Sequence, residues 1–146
     1  MSRHTTALVA AAAVLAGCGG GGGGGKSFKD SVSPIEDQLK ATAIATVTAI
    51  EKAPTQTQAQ AKASFGALSS RWEAQLNKLT ALKAPSSASS EFDDLTEVTG
   101  KVKTDFGIVV DAIAANDTGA AKSGATTLVT DLAATKTAAI ALEKKL

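Results

Sequence analysis

The sequence predicts an all-α protein: an up-down-up-down antiparallel four-helix bundle that follows an apolar leader and a glycine-rich tether. Three observations lead there. Four segments carry apolar residues at alternating three- and four-residue spacing. Proline or turn residues separate them, at Ala53-Pro54, Ala84-Pro85 and Asn116-Asp117-Thr118-Gly119. No stretch alternates with period two over a strand length, so no strand is expected.

The leader comes first. Arg3 and His4 give a short positive start, and the uncharged run from Ala7 to Leu15 follows. That run is far below the roughly 20 apolar residues a bilayer span needs. It ends in Leu15-Ala16-Gly17-Cys18, with small residues just ahead of the cysteine. These residues resemble the lipobox of bacterial lipoproteins. The resemblance implies that the Cys18 thiol is the lipidation site, receives a diacylglycerol, and becomes the first residue once residues 1–17 are removed. It also implies a chain anchored to the cell membrane by lipid and facing the extracytoplasmic side. The acyl lipid is the only attached group expected, with no other cofactor. The likeness covers about the first eighteen residues and is silent on the rest. Each buried methylene contributes about 0.8 kcal/mol, so two chains hold where one is marginal.

Seven glycines, Gly19 to Gly25, then read as a flexible coil with an expected average reach of about 15 Å. Residues 18–32 therefore read as lipidated cysteine plus linker, and residues 33–146 as the bundle. Ser33-Pro34-Ile35-Glu36 has the form of a capping box with proline at the first helical position. It opens a first helix to about Lys52, with Ile35, Leu39, Ala43, Val47 and Ile50 inward. Phe28 and Val32 continue that stripe backward, which is compatible with a preceding turn kinked at Pro34. Thr55 with Gln58 opens the second helix, which runs to about Lys83. Its stripe is Phe65, Leu68, Trp72, Leu76, Leu79 and Leu82, and that placement makes Trp72 core filler. After the polar turn Ser86 to Ser90, Ser90 with Asp93 caps a third helix. Phe92, Leu95, Thr99, Val102, Phe106, Val109 and Ile113 keep strict spacing there. The fourth helix shows Ala121, Ala125, Leu128, Leu132, Thr135, Ala139, Leu142 and Leu146.

Composition narrows function by exclusion. The only histidine, His4, leaves with the leader, and no tyrosine or second cysteine remains. That removes the usual donors for zinc, copper or haem, and any histidine-based nucleophile. No metal site is expected. Without Arg3, basic and acidic side chains balance, which argues against a nucleic-acid partner. Glu91, Asp93, Asp94 and Glu97 form the densest acidic group, yet acids favour the first turn of a helix and the spacing matches no calcium loop.

One constellation goes beyond the stripes. Mirrored across the turns of an up-down bundle, Gln75, Thr99 and Thr135 fall level, a candidate polar layer that could line a ligand pocket. Threonines in helical seams also bond back to their own backbone. The sequence thus leads to a membrane-anchored, non-enzymatic interaction or structural module of the cell envelope, with an envelope protein as possible partner. The alternative is a small-molecule or lipid-binding lipoprotein accessory to a transporter.

Overall fold

A computed structural model describes residues 27–146. Cys18, the lipobox and the glycine run lie outside the described residues. The protein is an all-α four-helix bundle: α1 (Phe28–Lys52), α2 (Gln58–Thr80), α3 (Ser89–Ala114) and α4 (Thr118–Glu143). No strand occurs among the described residues. Helices of 23 to 26 residues give a bundle about 35–40 Å long at 1.5 Å per residue. The α3–α4 seam is the most extensive and the α1–α4 seam the thinnest. No described helix is long and apolar enough to cross a membrane.

The start of α1 corrects the expected boundary at Ser33. Ser27 is the cap: its Oγ accepts from the Asp30 N–H at 3.1 Å, and Asp30 Oδ2 accepts from the Ser27 N–H at 3.2 Å. Residues 28–32, assigned to the linker, are therefore helical, and Pro34 lies inside the helix instead of opening it. Proline there lacks an N–H for the preceding turn. Burial outweighs that loss. Val32 is fully buried, and the Phe28 ring meets Phe92 of α3 edge-on at a centroid distance of 5.2 Å.

The inward face of α1 also differs from the expected stripe. Ile35 and Leu39 are buried, and the fully buried face continues through Thr42, Thr46 and Ala49, with Ala43 and Ile50 half-buried against the core at its edge and Val47 turned outward. Val47 is 40% exposed. Thr42 and Thr46 donate back to the carbonyls of Gln38 and Thr42, each at 2.8 Å, so their hydroxyls enter the core satisfied.

Pro54 falls in a single 3₁₀ turn, Ala53–Thr55, that extends α1. This displaces the expected start of α2 from Thr55 to Thr57, whose capping box with Gln60 repeats the same residue pattern two positions later. The helix also ends at Thr80, short of Lys83. Of the residues expected inward, Leu76 is half-buried while its neighbour Gln75 is buried. Trp72 is fully buried, as core filler should be.

Ala88, without a side-chain cap, opens α3, and Phe92 donates to its carbonyl at 3.0 Å. Its expected stripe is buried from Phe92 through Val109. The helix ends in a Schellman arrangement. Asn116 takes a left-handed φ of 55°, and the Asp117 N–H reaches back to Ala112 O at 2.9 Å. Asp117 then caps α4 by accepting from the Ala120 N–H at 2.9 Å. Gly124 permits the close α3–α4 approach, because a Cβ there would meet Val109 Cγ2 at 2.8 Å.

Candidate functional site

At the end of the bundle farthest from Phe28, the large inward side chains run out. Ala61, Ala112, Ala121 and Ala125 hold inward or half-buried positions on three helices, over a floor made by Phe65 and Val109. Alanine keeps the helical period but leaves volume. The result is a cleft of about 630 Å³ where the end of α1, the start of α2, the end of α3 and the start of α4 converge. Ile50 and Ile113, both half-buried, add apolar walls.

The mouth is polar. Gln58, Asn116, Asp117, Thr118 and Lys122 are exposed there. Gln58 is freed for this end because the later capping box is used. Its Nε2 donates to Ile113 O at 2.6 Å and Ala114 O at 3.3 Å, closing the last carbonyls of α3. Asp117 is committed to the α4 N-terminus. Lys122 enters neither of the two ion pairs, Lys101–Glu97 and Lys145–Glu91, found among the described residues. Gln56, also in the lining, has its Oε1 buried without a partner. A buried unpaired acceptor costs about 1–3 kcal/mol, which makes this wall a local weak point. The arrangement can enclose an apolar body and meet a charged or hydrogen-bonding head at the mouth.

Cys18 lies outside the described residues. Gln75, Thr99 and Thr135 are all buried, at 5%, 0% and 4% exposure. Their hydrogen bonds do not join them. Gln75 Nε2 donates to Thr42 Oγ1 at 2.7 Å and Gln38 O at 3.2 Å, both on α1. Thr99 and Thr135 donate to their own helices, at Leu95 O and Asp131 O. The cross-helix polar contacts on this side run between α1 and α2, where Trp72 Nε1 donates to Thr46 Oγ1 at 3.2 Å. None of the three lines the cleft.

Two buried carboxyls lie outside the expected stripes. Glu36 on α1 is 8% exposed with Oε1 unpaired, and Asp105 on α3 is 9% exposed with Oδ2 unpaired. Burial pushes Glu36 up to about 7, with Glu143 of α4 and the adjacent Asp37 adding to the push and Lys29 opposing it. Burial, then the Asp131 carboxyl of α4, raises Asp105 to about 6. Each flanks a stripe at helical spacing, Glu36 beside Ile35 and Asp105 beside Phe106, so a wider reading of the face would have found them.

The acidic group at the start of α3 is dispersed. Glu91 pairs with Lys145 at 3.2 Å, and Glu97 with Lys101 at 2.7 Å. Among the described residues no set of three or more His, Cys, Asp or Glu converges for a metal. No family model matches the chain, and the comparisons with curated proteins and with solved structures found no match.

Proposed function

We propose that this chain is a bacterial lipoprotein, anchored at Cys18 on the extracytoplasmic side of the cell membrane, whose bundle is a non-enzymatic interaction module of the envelope. The observation that carries the contact role is the set of large aliphatic side chains left exposed on α1 and α4. Ile44 and Val47 on α1 are 63% and 40% exposed, and Val129 and Ile140 on α4 are 47% and 42% exposed. Glu36 and Glu143 fix which flanks face each other, and helical spacing carries Val47 along one and Ile140 and Val129 along the other. Val47 and Val129, on facing flanks by that spacing, suit burial against another surface, while Ile108 on α3, 52% exposed, stands outside this set. The occupant proposed is a second envelope protein.

The test is photo-cross-linking in intact cells, with the cross-linker placed at Val47 or Val129. The expected product joins this chain to one membrane-fraction protein, and a control at Lys101 gives none. A product containing only this chain twice, or no product, overturns the choice of partner. For the anchor, Cys18→Ala should move the protein out of the membrane fraction, and retention there would refute lipidation as the attachment.

A second reading, a small-molecule or lipid-binding lipoprotein accessory to a transporter, is favoured by one observation, the alanine-lined cleft. Its size falls within the range of about 300–1,000 Å³ usual for ligand pockets.

A further inference from the structure

We infer that the distal cleft binds a single-chain aliphatic carboxylate, with the chain along the Phe65–Val109 floor and the head group at Lys122. This rests on the ligand-binding reading above and gives it a ligand class.

The chemistry of the lining selects the occupant. The floor and walls are hydrocarbon, from Phe65, Val109, Ile50 and Ile113, so the body of the ligand is apolar. Charge complementarity sets the head. Lys122 is the sole cation of the lining and enters no ion pair, so a carboxylate finds a free partner at the mouth. An ammonium head would find only Asp117, whose carboxylate already accepts from Ala120 N and answers the positive end of α4.

Position argues for one chain over two. Ile50, at the cleft, stands 22 residues along α1 from Phe28, about 33 Å at 1.5 Å per residue. With the proposed anchor at the Phe28 end, the cleft sits at the bundle end remote from the attachment point. A ligand taken up there from solution crosses water as a monomer. A single-chain carboxylate does so readily, and a two-chain lipid does not.

The test uses the full chain carrying Cys18→Ala, which removes the acyl anchor and the need for detergent. Laurate, dodecanol and dodecylammonium are titrated below their aggregation concentrations and followed by calorimetry. The expected result is one laurate per chain, with affinity lowered about tenfold by Lys122→Gln. Ala121→Phe, which fills the cleft, should abolish binding while far-ultraviolet dichroism stays helical. Should that variant fail to fold, Ala125→Leu serves, and methyl shifts of Val109 on laurate addition to the parent chain locate the site directly. If laurate binds but Lys122→Gln changes nothing, or dodecanol binds as tightly, the carboxylate assignment is overturned while the ligand-binding reading stands. If none of the three amphiphiles binds, the aliphatic-ligand inference falls, and the broader ligand-binding reading keeps only non-aliphatic small molecules.

Discussion

The two ends of the bundle follow the same helical spacing and arrive at opposite packing. At the α1 N-terminal end, Phe28, Val32, Phe92, Leu95, Leu79 and Leu142 meet, and most of them lose all exposure to water. At the other end Ala61, Ala112, Ala121 and Ala125 occupy the corresponding inward or half-buried positions, and a cleft of about 630 Å³ results. Periodicity decides which face turns inward. Side-chain volume decides whether that face is closed.

The largest test of this contrast is Trp72→Ala. Deleting the biggest buried side chain should cost about 3–5 kcal/mol in chemical denaturation. A loss below about 1 kcal/mol would mean that the middle of the bundle is as loosely filled as the cleft. Next, Phe28→Ala should cost about 1–3 kcal/mol, because it removes the ring that packs on Phe92. An unchanged melting temperature would place residues 28–32 outside the core.

The third test concerns Glu36. Its carboxyl is held at about 7 in the folded chain, so between the ordinary carboxylate range and 7 the folded state binds a proton that the unfolded state has lost. Stability from this group is full below the ordinary carboxylate value of 4.5, is lost progressively as pH rises towards 7, and changes no further above it. Asp105 acts in the same sense up to about 6. The protein should therefore be more stable at pH 5 than at pH 8. Glu36→Gln should recover about 1–2 kcal/mol at pH 8 and flatten the slope. A wild-type stability that rises across that interval would refute the assignment.

The smallest effects are at the glycines and the cleft alanines. A Cβ at Gly100 meets nothing within 4 Å, so Gly100→Ala should stabilise by up to about 1 kcal/mol. Gly124→Ala should forfeit that gain through its contact with Val109. Ala125→Leu should shift stability by less than about 1 kcal/mol, since the cleft has room. A large loss there would show the distal end to be closed after all.

The sequence carried the helix count, three of the four inward faces and the burial of Trp72, because these depend on spacing that a single segment displays. The start of α1 lies ahead of the expected one although Ser33-Pro34 gives a strong local signal. The competing Ser27–Asp30 box wins only when Phe28 finds Phe92 on another helix. The inward face of α1 departs from the expected stripe for a related reason. Thr42 and Thr46 rank as polar, yet their hydroxyls are satisfied along the helix and then accept from Gln75 and Trp72 of α2. Hydrophobic periodicity cannot register bonds across a seam. Nor could it reveal the cleft, since an alanine reads the same whether its neighbours close over it or stand apart.

One consequence of the Trp72 packing is practical. The chain has one tryptophan and no tyrosine, so its near-ultraviolet absorption is dominated by a single indole. That indole is fully buried and donates its N–H across the α1–α2 seam to Thr46. Its emission is therefore a site-specific gauge of whether α1 is docked. A red shift that precedes the loss of helical dichroism during unfolding would identify α1 as the first helix to leave, a measurement that needs no label.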